Sequence, residues 1–457
     1  MLARMERPHA PDLPVDLPVD LPVDQMVDLA REPAPDLAPV PPSTSPGGAA
    51  MTWATVKTVA SVFSAPITIP AAVMSARRNI REAAARIDAF PEHLHALAEG
   101  RPTPLPAPRT VRLPADRRYL ITSDLHRCIP GRLDWPERQG TKALYPEVLR
   151  RYADDGWHLI ENGDVEDYWM VGGSTWGAVY DLARMANGLA GATASGRQRL
   201  ITEHLDRIVE NNADTYRLIA DRFLATGRYH RTMGNHDELY ANPQHLEALT
   251  DHLPGVDVVD SILLDAPDAT PADGLAGVEA VITHGHMTDA WNGPGISFLG
   301  AAVTWFANTI DDLPRIGRTA GLPDEEALGR LLAGRGFNRL VTLDPRFGGN
   351  RRFDSLDEER LFARLQDLAP SEEWPWMLFG HTHFPMKNPV DSSGVPARYA
   401  NSGCGVLDRS FSALEWDPSA GALSKDVGPT VVLWTDSGHG PVRRELLPDG
   451  PVLAVRD

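Results

Sequence analysis

Apolar runs that end in a short polar cluster recur along the middle of this chain, and this arrangement limits the folds that it can adopt. Each run has the length and residue types of a buried strand. Open α/β sheets place ligand and catalytic groups where a strand gives way to a loop. The runs are Arg118–Thr122, Trp157–Ile160, Tyr229–Met233, Val278–Thr283 and Trp376–Phe379. The pattern therefore predicts an α/β fold in which these strands deliver polar groups at their ends.

The polar clusters combine residue types that bind divalent cations. In chain order they are Asp124-Leu125-His126, Gly163-Asp164-Val165-Glu166-Asp167, Gly234-Asn235-His236-Asp237, His284-Gly285-His286 and Gly380-His381-Thr382-His383. Carboxylate oxygen and neutral imidazole nitrogen suit manganese, iron and zinc, whereas a thiolate-rich set would indicate other metals. Neither cysteine of the chain falls inside a cluster. We therefore expect two divalent metal ions, of manganese, iron or zinc.

A site with two cations needs one ligand that bridges them at a separation of roughly 3.5–4 Å. A carboxylate with two oxygens bridges best, so we expect Asp164 to be the bridge. Asp124, His126 and His383 would complete one metal site, and Asn235, His284 and His381 would complete the other. His286 is an alternative, because it lies two residues after His284 and could replace it or contact the substrate.

His236 is the candidate general acid. It follows the expected ligand Asn235, so it can face the substrate while Asn235 faces the metal. A histidine in this place can stabilise charge on a phosphoryl group and protonate the leaving oxygen, and a carboxylate at its other nitrogen would fix the tautomer. We expect Asp167 to be that carboxylate, with Asp237 as the second choice.

The order of the clusters resembles that of the calcineurin-like metallophosphoesterase superfamily, which is D-x-H, G-D-x-x-D, G-N-H-D/E, H and G-H-x-H. The resemblance covers about residues 113–410. It implies a hydrolase, a phosphatase or phosphodiesterase, in which a hydroxide that bridges the metals attacks phosphorus in line. It also implies two packed mixed β-sheets flanked by helices. Strand periodicity alone does not distinguish that sandwich from a single doubly wound sheet.

The substrate class stays open, because the superfamily cleaves phosphoproteins, nucleotides, nucleic acids and pyrophosphate-linked lipids. The segment Asp164–Trp169 and the long insert at about 290–370 are similar to those of the UDP-2,3-diacylglucosamine pyrophosphate hydrolases, which hold acyl chains under a helical lid. The chain departs from them at His236, where they commonly have arginine. A lipid-linked or nucleotide pyrophosphate is therefore the alternative substrate. A metal-binding scaffold without catalysis is the alternative from another functional class.

The same insert contains Arg351 and Arg352, whose guanidinium groups could bind a second phosphate or another anionic part of the substrate. A solvated basic turn explains them equally well. The formal net charge of -18 argues against a broad nucleic-acid-binding face, which needs a clustered basic surface. We expect the partner to be a phosphorylated small molecule, nucleotide or lipid.

Composition divides the chain into three parts. Residues 1–50 are an acidic, proline-rich tail that is either a disordered appendage or precedes the true start at Met51. Residues 51–112 form a helical extension and a proline-rich linker, and residues 113–457 form the catalytic domain with its helical insert.

Location is predicted from the same features. A chain with two cysteines and without a leader-like start is expected to be cytoplasmic, and neither Cys128 nor Cys404 is given a catalytic role. The uncharged run at 58–76 is interrupted by prolines, so we favour docking of the extension on the catalytic domain. Peripheral membrane contact through residues 52–86 is the first alternative, and a membrane span is the second.

Overall fold

The computed structural model describes eight segments of the chain. They are residues 81–105, 109–131, 134–168, 194–289, 356–389, 396–407, 409–420 and 427–445. The predicted acidic tail (residues 1–50), the first part of the extension (51–80) and most of the predicted insert (290–355) lie outside the described residues.

The described residues include twelve β-strands, and all five of the strands predicted above are among them. In chain order the strands are β1 (Thr110–Pro114), β2 (Tyr119–Thr122), β3 (His158–Asn162), β4 (Tyr229–Thr232), β5 (Ser261–Asp265), β6 (Val278–Ile282), β7 (Trp376–Phe379), β8 (Met386–Lys387), β9 (Tyr399–Asn401), β10 (Ser410–Trp416), β11 (Thr430–Asp436) and β12 (Pro441–Glu445).

These strands form two mixed sheets of six strands each. Sheet one has the order β1-β5-β6-β7-β9-β8, and sheet two has the order β12-β11-β10-β2-β3-β4. In sheet two, β2, β3 and β4 are parallel to one another, while β10 pairs with β2 in the antiparallel sense. In sheet one, β6, β7 and β9 are parallel. The predicted two-sheet α/β fold is confirmed.

Helices connect and cover the strands. The α-helices are α1 (81–99), α2 (Trp135–Gln139), α3 (Thr141–Asp154), α4 (Ala194–Asn211), α5 (Ala213–Leu218), α6 (Pro243–His252) and α7 (Leu356–Leu368). A π-helical turn, Ile219–Phe223, follows α5, and 3₁₀ turns lie at Leu224–Thr226, Glu238–Ala241, Pro271–Gly277, His286–Thr288, Ser371–Glu373 and Pro418–Ala420. In α3 the buried residues Leu144, Val148 and Tyr152 recur every four positions, as a one-faced amphipathic helix requires.

The two sheets pack face to face over an apolar core. Sheet two contributes Ile121 and Ile160, and sheet one contributes Ile282 and Leu378, all of them fully buried in one cluster. Successive strand residues point to opposite faces, so the neighbours of these residues lie on the outer faces. A β-strand buried on both faces reads as a continuous apolar run, which is why the sequence reveals these strands so clearly.

Helices cover the outer face of each sheet. On sheet two, Leu120 and Leu159 pack against α3, α4 and α6 through residues such as Val148, Leu205 and Leu249. On sheet one, a second cluster joins strand residues to α1 and α7. Its members include Ile87, Phe90, Leu94, Leu361, Phe362, Met377 and Phe379. The part of the extension that the structure describes, residues 81–99, is thus packed on the sheet. The uncharged run at 58–76, on which the docking prediction was based, lies outside the described residues.

The described segments were also searched for membrane-spanning helices. None of the helices in those segments combines the length and the apolar character that a bilayer crossing requires.

Candidate metal centre

The polar ends of strands from both sheets converge at one end of the sandwich. Sheet two brings Asp124 after β2, Asp164 after β3 and Asn235 after β4. Sheet one brings His284 after β6 and His381 after β7. Because these strands are parallel within each sheet, their carboxyl ends lie at the same edge and their loops meet.

The first group of side chains is the triad that the sequence predicts for one cation. Nε2 of His383 lies 3.0 Å from Oδ1 of Asp124, and Nε2 of His126 lies 3.1 Å from Nε2 of His383. Each of these three residues offers one donor atom, and the three atoms all lie within 4.8 Å of one another. His126 and His383 are 257 positions apart in the chain, and the fold brings them together here.

The second group is formed by Asp164, His284 and His381, whose donor atoms also lie within 4.8 Å of one another. Nε2 of His284 is 3.3 Å from Oδ2 of Asp164 and 4.0 Å from Oδ1 of Asp124. Asp164 belongs to a further such group with His126 and His236, so it stands between the two predicted metal sites. This is the position that a bridging carboxylate needs.

Backbone hydrogen bonds fix how the two aspartates point. Oδ1 of Asp164 accepts the backbone N–H of His236 at 2.8 Å, and Oδ2 of Asp124 accepts the backbone N–H of His381 at 3.0 Å. Each carboxylate therefore uses one oxygen to tie its own loop to another and directs the other oxygen to the histidines.

The chain at this edge takes a backbone conformation that L-residues rarely adopt. Positive φ angles occur at Asp124, His126, Asp164, His381 and His383, with values between 45° and 69°. Non-glycine residues in this left-handed region mark sites where the surrounding structure holds the backbone under strain. The predicted ligands thus sit on tight, strained loops immediately after their strands.

Two glycines allow the loops to approach so closely. A Cβ atom at Gly234 would lie 2.1 Å from Oδ1 of Asp164, and a Cβ atom at Gly380 would lie 2.8 Å from Oδ2 of Asp124. Only glycine fits such contacts without movement of the aspartate. The glycines of the G-N-H-D and G-H-x-H clusters are therefore required by packing against the ligands.

The charges in this group stabilise one another. Burial alone would raise the pKa of the Asp124 carboxyl, but the imidazoles of His383 and His284 overcome that effect and hold it at about 2. Burial likewise acts to raise the pKa of Asp164, and His284 and His236 lower it well below its usual value. For His284, burial acts to lower the pKa, and Asp164 and Asp124 raise it to about 9. The carboxylates are thus ionised, and the site favours positive charge.

His236 lies beside the two predicted metal sites and belongs, with His126 and Asp164, to the third donor group. Its Nδ1 is 3.0 Å from Oδ1 of Asp167, and its Nε2 is 3.9 Å from Oδ2 of Asp164. Burial acts to lower the pKa of His236, and the charges of Asp167 and Asp164 raise it. Asp167 is the carboxylate at the far nitrogen, the first of the two residues expected there.

Asp237, the second choice for this role, makes its hydrogen bonds with other groups. Its Oδ1 accepts the backbone N–H of Gly234 at 2.6 Å, and its Oδ2 accepts the backbone N–H of Val165 at 3.0 Å. Arg231 also donates to Oδ2 at 2.8 Å. Asp237 therefore holds the loop after β4 against the loop after β3, which sets the distance between His236 and Asp164.

The sequence analysis does not predict several hydrogen-bond partners of the expected ligands. Nδ1 of His284 lies 2.8 Å from the backbone oxygen of Asn162, and Nε2 of His381 lies 2.7 Å from Oδ2 of Asp289. Such contacts to the second ring nitrogen set the tautomer and orientation of a metal-binding histidine. For Asp289 the only signal was its position five residues after His284 on the same loop.

Two buried ion pairs lie under the site and were also missed. Arg231 donates to Glu166, with a second contact of 3.0 Å from Nη1, and Arg127 pairs with Glu161. Buried tyrosines complete their hydrogen bonding, among them Tyr240 at 3.1 Å from Glu166 and Tyr229 at 2.6 Å from Glu161. The available signal was a charged residue inside an otherwise apolar strand, as Arg231 is in β4 and Glu161 is in β3.

The remaining predicted site residues fall into two groups. His286 is buried beside the site, with its ring centroid 5.5 Å from that of His284 and 6.3 Å from that of His381. The structure thus places His284, rather than His286, against the aspartates. Arg351 and Arg352 lie outside the described residues. Cys128 and Cys404 are both buried.

The donor set fits divalent cations. Asp124 Oδ1, Asn235 Oδ1 and His284 Nε2 are buried, and none of these atoms makes a hydrogen bond of good geometry to any residue in the described segments. Buried polar atoms are normally satisfied, so these atoms at the ends of β2, β4 and β6 call for a further partner. Oxygen and imidazole donors without a thiolate match manganese, iron or zinc.

Comparison with known proteins adds no assignment. The chain matches no protein-family model and no curated protein sequence.

Proposed function

We propose that this chain is a metal-dependent phosphoesterase of the calcineurin-like metallophosphoesterase type, which hydrolyses a phosphomonoester or phosphodiester. The observation that carries the proposal is the convergence of oxygen and nitrogen donors from both sheets around the Asp164 carboxylate. The converging donors are Asp124, His126, Asp164, His284, His381 and His383, and the buried Asn235 follows β4 at the same edge. Asp164 belongs to two of the three donor groups and His126 to two, so the groups overlap as the ligands of two neighbouring cations must.

Two divalent cations, of manganese, iron or zinc, would be held by these residues. Bound there, they would polarise phosphoryl oxygens and lower the pKa of a coordinated water. The carboxylates of Asp124 and Asp164 are ionised beside the histidines, whereas His284 must release its proton before it can bind a cation.

The protein's own contribution to the reaction is proton transfer by His236. The carboxylate of Asp167 accepts the proton of Nδ1, so Nε2 carries a second proton when the ring is cationic, and Nε2 lies on the side of Asp164. A proton held at Nε2 can pass to the leaving oxygen of a phosphoester, and the imidazolium before transfer stabilises negative charge on the phosphoryl group. Asp167 keeps the ring oriented throughout, because the same carboxylate also contacts Nδ1 of His126 at 2.9 Å.

The presence of His236 and Asp167 beside the donors argues against a scaffold that only binds metal. A structural metal site closes its coordination shell with ligands and has no use for a positioned proton donor. The alternative substrate class, a lipid-linked or nucleotide pyrophosphate, stays a prediction that is based on the segment Asp164–Trp169 and on the insert, and most of the insert is outside the described residues.

The experiment is a measurement of metal content and of hydrolysis with added Mn²⁺. The probes are p-nitrophenyl phosphate, bis(p-nitrophenyl) phosphate and a nucleotide pyrophosphate. Wild type is compared with Asp164→Asn and with Asp268→Asn, which changes an exposed aspartate in a surface loop.

We expect turnover that depends on Mn²⁺, is abolished by Asp164→Asn and is unchanged by Asp268→Asn. The probe that is hydrolysed fastest would show whether the enzyme prefers monoesters, diesters or pyrophosphates. Two bound cations without turnover of any probe would favour the scaffold, and a wild-type protein that binds no cation would refute the proposed centre.

A further inference from the structure

Helix α1 belongs to the extension that precedes the first strand, yet it is built into the core of sheet one. Ile87, Phe90 and Leu94 are buried in the same cluster as Met377 and Phe379 of β7. β7 is the strand that carries His381 at its end. The position of α1 is therefore fixed relative to one of the predicted ligands.

One side chain of α1 reaches the loop beside that ligand. Nη2 of Arg86 donates to the backbone oxygen of Asp289 at 3.1 Å. Arg86 is partly buried, and the three carboxylates that act on its charge are those of Glu82, Asp289 and Asp357. Burial lowers the pKa of Arg86, and those carboxylates oppose the effect. The arginine is thus held between the helix and the loop by charge as well as by its hydrogen bond.

Asp289 also contacts a predicted metal ligand, His381. Its Oδ2 lies 2.7 Å from Nε2 of His381, and both side chains are partly shielded, with exposed fractions of 21% for Asp289 and 13% for His381. A ring nitrogen that donates to a carboxylate is not available to a cation. His381 is left with Nδ1 as its coordinating atom, and its ring is fixed in that orientation.

We propose that Asp289 and Arg86 are positioning residues for His381, so that the helical extension is a working part of the metal centre rather than a separate module. The proposal rests on the proposed function only in taking His381 as a metal ligand. Asp289 orients the imidazole of His381. Arg86 holds the backbone of Asp289 in the position from which its carboxylate contacts Nε2 of His381. Neither residue touches the predicted cations.

The experiment measures Mn²⁺ binding to the full chain by calorimetry. Asp289→Asn keeps the shape of the side chain and removes its charge, and Arg86→Gln removes the link to α1. Two matched controls carry the same changes elsewhere: Asp268→Asn is on an exposed loop, and Arg81→Gln is on an exposed position of the same helix. Melting of the metal-free proteins checks that each variant is folded.

We expect Asp289→Asn to weaken one of two Mn²⁺ sites by about 10–100-fold and to leave the other unchanged, as loss of an outer partner of a histidine ligand does elsewhere. Arg86→Gln should weaken the same site by less, and both controls should bind as wild type does. Equal affinities in Asp289→Asn and wild type would overturn the proposal.

A second measurement does not depend on any variant being folded. Nitrogen-15 spectra of histidine-labelled wild type should show His381 with its proton on Nε2 when Mn²⁺ is replaced by diamagnetic Zn²⁺. A proton on Nδ1 would overturn the positioning role. If the binding and spectra agree with the proposal while no phosphoester is turned over, the proposed function fails and the positioning role stands; a wild type that binds no cation refutes both.

Discussion

Nδ1 of His236 lies 3.0 Å from Oδ1 of Asp167, while the other oxygen of the same carboxylate lies 2.9 Å from Nδ1 of His126. One carboxylate thus orients both a predicted proton donor and a predicted metal ligand. A change of His236 should therefore affect the rate alone, whereas a change of Asp167 should affect both the rate and the binding of cations.

His236→Ala should keep both cations and lower kcat by about 10²–10⁴-fold, because the variant loses a proton donor and no ligand. Calorimetry with Mn²⁺ and steady-state hydrolysis of bis(p-nitrophenyl) phosphate measure the two effects separately. His439→Ala, at an exposed turn, is the control. An empty metal centre in His236→Ala would show that the histidine is itself a ligand.

Asp167→Asn should impair binding and rate together, because Asp167 contacts both His126 and His236. The amide can still accept one hydrogen bond, but it no longer supplies the charge that raises the pKa of His236. We expect cation affinity to fall by about 10–100-fold, as for other partners of histidine ligands. The same two assays apply, and a variant with lower rate but unaltered affinity would contradict the contact with His126.

Gly234→Ala should disrupt the centre without removing a ligand. Its new methyl group would meet Asp164 Oδ1 at 2.1 Å and Asp164 N at 2.4 Å, so the loop after β4 must move away. Overpacking of this kind costs about 1–3 kcal/mol. We expect a lower urea midpoint and weaker Mn²⁺ binding. Gly255→Ala, which has open space around its Cβ position but a φ of 82°, adds backbone strain without a clash, so it should lower the urea midpoint and bind Mn²⁺ as wild type does. Equal metal binding in Gly234→Ala and wild type would contradict the close approach.

Arg231→Gln should destabilise the fold more than any surface arginine change. Arg231 is fully buried between Glu166 and Asp237, and its loss would leave two buried carboxylates without their cation. Breaking a buried pair in this way costs about 3–5 kcal/mol. Urea unfolding measures it. Arg217→Gln breaks an exposed pair with Asp214 and should cost about 0.5 kcal/mol or less, and similar losses in the two variants would contradict the prediction.

The stacked pair of His158 and His230 should make folding sensitive to acid. Their ring centroids lie 5.6 Å apart, and burial lowers the pKa of each to about 4. Because the unfolded chain protonates these rings near their ordinary value, it binds more protons between about pH 4 and 6.5. Stability that is fully present above this window is therefore lost as the pH falls through it.

The measurement is the free energy of unfolding from urea titrations across that window. Each ring contributes a slope of up to about 1.4 kcal/mol per pH unit. The double variant His158→Asn with His230→Asn should flatten the pH dependence, whereas His439→Asn, at an exposed site, should leave it unchanged. A wild-type profile that is flat from pH 4 to 6.5 would contradict the neutral pair.

The sequence predicts the strands around the site well, because strands buried on both faces are continuous apolar runs. β10, which lies at the centre of sheet two, is not among the predicted strands, since its serines and glutamate interrupt the apolar pattern. Nor does periodicity reveal which strands pair, so the two sheets came only from the family resemblance.

The predicted ligands come together, because their place after parallel strands puts them at one edge. The contacts that orient them are harder to foresee. Asp289 and His381 are 92 positions apart, and Arg231 and Glu166 are 65 apart, so no local spacing connects either pair. Their meeting depends on how the loops dock after both sheets have formed.

The left-handed backbone at Asp124, Asp164, His126, His381 and His383 has a consequence for alanine scanning of this site. An alanine there would inherit a conformation that disfavours it by about 1–2 kcal/mol per residue, in addition to losing the side chain. Asparagine tolerates that conformation far better. In an alanine scan, the measured loss would therefore combine the effect of backbone strain with that of the missing donor atom. Asparagine in place of Asp124 or Asp164 would report the effect of the missing carboxylate alone.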